Sequence, residues 1–135
     1  MLNRPLIQIL LLFCVAFILN VLWEEAHHFL YVSYQGGEIT QFILLRAALV
    51  DAIVTMFLFG PLFFLPRDRR FLWISVVLAF MFGVGLERFA LATNRWTYQS
   101  FMPLVPFLGT GLTPTVQLAI LGAIAVWLSY KMIRS

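Results

Sequence analysis

Four stretches of about twenty mostly apolar residues occupy most of the chain, and a stretch of that length matches the hydrocarbon thickness of a bilayer. They cover residues 6–23, 39–65, 71–92 and 112–132. Lipid offers no partner for backbone polar groups, so each stretch must bond its own backbone, and the expected fold class is all-α: a polytopic membrane protein with four transmembrane helices. Pro61 and Pro66 close the second stretch, and Pro114 falls in the first turn of the fourth, where a missing N–H does no harm. At 135 residues, 62% of them hydrophobic, with mean hydropathy +0.95, the chain reads as one domain spanning residues 1–135, with no polar stretch able to form a second, soluble one. The first stretch follows Arg4 as a signal peptide would, but Trp23-Glu24-Glu25 stands where a small-residue cleavage site is needed, so it is read as a retained helix. A net charge of +3, scattered along the chain, excludes nucleic acid as a partner.

Lysine and arginine placement sets the expected orientation. Arg4, the Arg67-Asp68-Arg69-Arg70 turn, and Lys131 with Arg134 fall on one side. The segment from Glu25 to Glu38 has neither residue type, and the segment after the third helix has only Arg95. Both termini are therefore expected in the cytoplasm, with the first and third loops outside, in a bacterial or archaeal plasma membrane. The third loop, Asn94 to Gly111, carries Trp96, Tyr98, Phe101, Met102 and Phe107. It is too apolar for a solvated loop and too short and Pro-broken to span, which predicts an interfacial or re-entrant piece across the outer mouth, with the Tyr31–Gly37 loop as a shorter companion.

Glu24, Arg46, Asp51, Glu87 and Arg88 lie within or at the ends of the apolar stretches. An ionisable group at the bilayer centre costs at least ~2.5–3.5 kcal/mol, so such groups are paired, wetted or used. Counting along the helices puts Asn20, Glu24, Arg46, Asp51, Glu87, Arg88, Thr113 and Gln117 in the outward half and leaves the cytoplasmic half almost purely apolar. Spacing by four puts Asn20, Glu24 and His28 on one face if the first helix continues past Trp23, and Asp51 and Thr55 share another. Glu87 and Arg88 are adjacent, which points one into the bundle and the other outward to snorkel. Arg46 and Arg88 are expected to balance Asp51 and Glu87, with Glu24 left for Arg95 or protonated. The bland alternative is that such acid–Arg pairs only hold four helices in register, because lipid tails drive helix association weakly.

Glu24-Glu25-Ala26-His27-His28 contains two overlapping Glu-x-x-His pairs, the spacing used in di-iron bundles, but the second such motif those sites require is absent. Two histidines at a hydrated interface read equally well, and no metal or other cofactor is assigned. Cys14 lies mid-helix with no nearby base, as a small apolar residue would.

The set Asn20-x-x-Trp23-Glu24-x-x-x-His28-x-x-Tyr31, followed by Glu87, Arg95-Trp96-Thr97-Tyr98, Met102-Pro103 and Gly111-Leu112-Thr113-Pro114 with Gln117, resembles a family of small four-helix bacterial and archaeal membrane proteins of uncharacterised function. Asn94 stands where that family usually has Gly, and Asn tolerates the left-handed conformation such a turn needs. The resemblance covers most of the chain and implies a four-helix fold without an activity. A more distant similarity is to carotenoid-processing membrane proteins of the lycopene cyclase domain type, which set an acid ahead of a Trp-x-Tyr element. Their Pro-x-Glu-Glu motif is reduced here to Trp23-Glu24-Glu25. By analogy it favours an isoprenoid or lipid substrate.

The expected function is an intramembrane site in the outer half of the bilayer that binds or modifies a lipid or isoprenoid by acid/base chemistry. Glu24, Asp51, Glu87 and His28 are the candidate catalytic groups. Asn20, Arg46, Arg88, Arg95, Trp96, Tyr98 and Gln117 are the candidate substrate contacts. A small oligomeric proton-coupled transporter, or an accessory subunit of a larger membrane complex, would use the same acids differently, with a homo-oligomer or a membrane protein as partner.

Overall fold

A computed structural model describes residues 3–135. Four helices form the bundle: α1 (Arg4–His27), α2 (Gln41–Phe59), α3 (Arg69–Ala92) and α4 (Leu112–Arg134). Each, with its flanking 3-10 turn where one exists, is long and apolar enough to cross a membrane, so the chain is a multi-pass membrane protein. Local chemistry sets the helix starts. Pro5 lies in the first turn of α1. The Thr40 hydroxyl accepts from the Ile43 N–H at the start of α2, and the Asp68 carboxylate accepts from the Arg70 N–H at the start of α3. Beyond α3, Asn94 takes a left-handed backbone (φ 53°) and turns the chain back.

One short ribbon joins the otherwise helical architecture. Tyr31–Tyr34 (β1) and Trp96–Tyr98 (β2) pair as an antiparallel ribbon, with Tyr31 opposite Tyr98 and Tyr34 opposite Trp96. A bulge between Tyr31 and Ser33 leaves Val32 exposed. The two loops expected at one mouth are thus hydrogen-bonded to each other, because both are short runs of aromatic and β-branched residues. From Gln99 to Gly111 the chain forms a looped cap anchored by buried Met102 and Thr110, with Phe29 and Phe101 stacked 6.4 Å apart.

Within the bundle α1 lies against α2 and α4, and α3 lies against α4, while α2 and α3 touch sparingly. Alanine and glycine let the helix axes close up. Ala16, Ala48, Ala52, Ala79 and Ala125 are fully buried, and Leu12, Phe59, Leu118 and Val126 fill the core between them. A Cβ on Gly83 would come within 2.6 Å of the Thr115 carbonyl oxygen, so only glycine lets α3 approach α4 there. Gly122 likewise seats against the ring of buried Phe59. Large apolar side chains such as Leu22, Phe57, Trp73, Met81 and Trp127 face outward, a surface suited to lipid rather than water. The half of the bundle toward Arg67–Arg70 is less purely apolar than its sequence suggested: Gln8, Ser75 and Ser129 are buried there, and Ser129 returns its hydroxyl to the Ala125 carbonyl oxygen.

Candidate functional site: a carboxyl-lined cavity at the ribbon end

α1 runs on to His27, so the expected face continues past Trp23. One residue later the chain tightens into a 3-10 turn (His28–Leu30), with His27 buried and His28 half-buried at the cavity. His27 Nε2 lies 3.3 Å from Glu24 Oε2, and Nδ1 lies 3.0 Å from Thr113 Oγ1. With Nε2 donating to the carboxylate, Nδ1 accepts from the threonine hydroxyl, which ties α1 to the start of α4.

Gln117, one turn further along α4, is the hub. Its Nε2 is 2.9 Å from each of three oxygens: Asn20 Oδ1, Glu24 Oε1 and Asp51 Oδ2. Three helices therefore meet at one amide nitrogen. That nitrogen carries two hydrogens, so at most two of the three oxygens receive a full hydrogen bond at once. Asn20 is locked in place by donating to the Ala16 carbonyl oxygen at 2.8 Å. The surplus acceptor capacity thus belongs to Glu24 and Asp51, both of which face the cavity described below.

Glu87 forms a second cluster. Trp96 Nε1 donates to its Oε2 at 3.3 Å, and the Tyr98 hydroxyl donates to the same oxygen while accepting from the Gly111 N–H at 2.9 Å. The ribbon is thereby fastened to α3 and to the start of α4. Tyr31 stands between the clusters, with ring centroids 5.5 Å from His27, 5.8 Å from Trp96 and 5.5 Å from Tyr98. Burial, then the charges of Glu87 and Glu24, push the Tyr31 phenol well above its ordinary range. Burial, then the hydrogen bond to Glu87, do the same for Tyr98. Both phenols keep their protons, and Tyr98 donates its own to Glu87.

Glu24, Asp51, Glu87 and Gln117 line a cavity of about 470 Å³ whose remaining wall is largely apolar, built from Ile43, Ala47, Val50, Leu86 and Leu118. His28, Arg46, Arg95 and Trp96 also border it. A volume of this size falls in the usual range for small-molecule sites of about 300–1,000 Å³.

Of the residues singled out in the sequence, the structure brings nine to this cavity or its immediate backing: Glu24, Asp51, Glu87, His28, Arg46, Arg95, Trp96, Gln117, and Tyr98 behind Glu87. Asn20 stands behind Gln117 rather than on the surface of the cavity. Arg88 is exposed and points away from it, so of the adjacent pair Glu87 faces in and Arg88 faces out. The expected acid–arginine pairing does not occur. Among the described residues the ion pairs are His27–Glu24 and Arg70–Asp68. Arg46 instead donates to the Tyr34 hydroxyl at 2.7 Å and lies over its ring, and Arg95 lies over Phe89. The carboxyls are held by amide, indole, phenol and imidazole donors. The imidazole lies on α1 beside Glu24, while the indole, phenol and amide reach the carboxyls from the ribbon and from α4, which a helix-by-helix count of charges does not bring together.

Among the described residues no group of three or more His, Cys, Asp or Glu side chains is arranged to hold a metal ion. Glu25 is turned outward beside Gln41, which separates it from His28, and Glu24 is engaged by His27 and Gln117. Sequence reasoning missed His27 as the hydrogen-bond partner of Glu24, and Thr113 as the partner of His27. The i,i+3 relation of Glu24 to His27 on one helix was the available signal. Comparison with protein-family models, curated proteins and solved structures gave no match for this chain.

Proposed function

We propose that the cavity is an intramembrane binding and reaction site for a lipid or isoprenoid, with Glu24, Asp51 and Glu87 as its acids and bases. The observation that carries this reading is the convergence of three carboxyls from three helices on one largely apolar cavity, with no Arg or Lys paired to any of them. An unneutralised carboxyl cluster in an apolar wall is costly to keep, and intramembrane acids in such settings are functional by default. Their oxygens can exchange protons with a ligand, and the free acceptor capacity at Gln117 gives a hydroxyl or a protonated group somewhere to bind. An apolar wall beside these groups suits a hydrocarbon chain. The residues behind the resemblance to small four-helix proteins are the ones that converge: Asn20, Glu24 and Gln117 at one cluster, Glu87, Trp96 and Tyr98 at the other. That agreement supports placing the chain beside them and extends the analogy with carotenoid-processing proteins to the substrate class alone.

The Arg67–Arg70 end faces the cytoplasm of a bacterial or archaeal cell by the positive-inside rule, which puts the cavity in the outer half of the plasma membrane. Transport finds less support, because fully buried Leu12, Ala16, Phe59 and Ala79 pack the bundle beyond Gln117.

The test is a comparison of total lipid extracts from cells expressing the native chain and the Glu87→Gln variant. Turnover predicts a lipid species present with the native chain and reduced at least about a hundredfold with Glu87→Gln, the effect expected when a positioned acid or base is lost. Identical extracts from cells that insert both proteins equally would remove the catalytic role.

A further inference from the structure

Arg46 and Arg95 border the same cavity as the three carboxyls but reach none of them. Each guanidinium is instead held on an aromatic face. Arg46 lies 5.4 Å from the Tyr34 ring centre with one N–H on the Tyr34 hydroxyl, and Arg95 lies 5.2 Å from the centre of Phe89. Such contacts orient a guanidinium without neutralising it, and Arg46 keeps four further N–H donors. The Arg95 backbone is fixed as well: its N–H donates to the Ala90 carbonyl oxygen at 2.8 Å, and its carbonyl oxygen accepts from the Gln35 N–H at 2.6 Å. Arg46 is five residues into α2, about 7.5 Å along the axis at the usual rise, and its guanidinium reaches outward from there to Tyr34 of the ribbon.

The cavity is also walled by α2 and α3. Val50 on α2 and Leu86 on α3 line it and are 49% and 37% exposed. These two helices touch sparingly, so the seam between them is the apolar path by which a chain would reach the surrounding lipid.

From this we infer the ligand's class: an amphiphile with a phosphate-type head group, gripped by Arg46 and Arg95, whose hydrocarbon chain leaves between α2 and α3 past Val50 and Leu86. The inference rests on reading the cavity as a lipid site. A phosphate monoester carries close to two negative charges near neutral pH, matching two guanidiniums, whose planar forks suit its oxygens. The carboxyl cluster then faces the first atoms of the chain rather than the phosphate, which keeps like charges apart.

Farnesyl monophosphate, farnesol and inorganic phosphate are the probes, titrated into the purified full chain in detergent. The native protein is expected to bind farnesyl monophosphate at least about tenfold more tightly than farnesol, a preference of the size that charge-assisted hydrogen bonds give. The Arg46→Gln, Arg95→Gln double variant should lose that preference and keep its affinity for farnesol. Val50→Trp with Leu86→Trp should weaken both farnesyl probes. Retention of the preference in the arginine variant would overturn the head-group assignment, as would its absence in the native protein. Inorganic phosphate binding as tightly as farnesyl monophosphate would make this a site for a free anion. Failure of both farnesyl probes to bind the folded native protein would defeat the lipid reading itself, whereas binding of farnesol without preference would defeat only the head group.

Discussion

Gln117→Leu is expected to lower the unfolding free energy by about 1–3 kcal/mol, the cost of leaving buried hydrogen-bond acceptors without their donor. Leucine nearly matches glutamine in size, so packing is preserved and the loss isolates the amide. Its nitrogen serves Asn20, Glu24 and Asp51 at once, so the substitution strands acceptors on α1 and α2 together. Gln117 is 3% exposed and Asn20 fully buried, and water does not reach that side of the cluster to replace the lost donor. A second variant separates the network from simple packing: Asp51→Asn in the Gln117→Leu background supplies a new amide donor to the stranded acceptors and should recover part of the loss. Denaturant unfolding in detergent, followed by circular dichroism, measures both. If Gln117→Leu unfolds like the native protein, the amide does not join the three helices.

Gly122→Ala is expected to destabilise the bundle by about 3 kcal/mol, the upper part of the usual range for overpacking a core. A Cβ there would fall inside the van der Waals surface of the Phe59 ring. Phe59 is fully buried and packs with core residues of all four helices, so the ring cannot swing clear without displacing them. The expected signature is rescue. Phe59→Leu alone costs stability by leaving a void, yet in the Gly122→Ala background it should relieve the clash, giving a favourable coupling in the double-mutant cycle. Additive losses would mean that α2 and α4 are not in contact at this point.

The four spans were legible because lipid imposes a length and a hydropathy that no other environment demands. Helix ends were legible where proline or a capping side chain marked them, as at Pro5, Asp68 and Pro114. The second span was read as one long stretch, whereas α2 ends at Phe59 and a 3-10 turn, Gly60–Phe63, finishes it, since Pro61 cannot continue an α-helix. The ribbon was hidden because each strand is only three or four residues long, too short for alternation to show, although the aromatic residues in both and the Gln35-Gly36-Gly37 turn were visible. Membership of the site was legible from polarity alone: Glu24, Asp51, Glu87 and Gln117 have no other place to go in an apolar chain. Their pairing was not. Charge matching predicted arginine partners, but the bundle surface carries Arg88 outward, and aromatic rings hold Arg46 and Arg95. The neutral donors came instead from Trp96, Tyr98 and Gln117, whose positions depend on how the ribbon lands on α3 and α4.

The central claim is that the carboxyl-lined cavity takes an amphiphile from the membrane. Native mass spectrometry on the full chain, released gently from its own membrane, tests it most directly. The account predicts a retained lipid or isoprenoid mass on the native chain that is lost when Val50→Trp and Leu86→Trp block the seam between α2 and α3. A native chain that carries no lipid while remaining folded, or a lipid held equally well with the seam blocked, would contradict it.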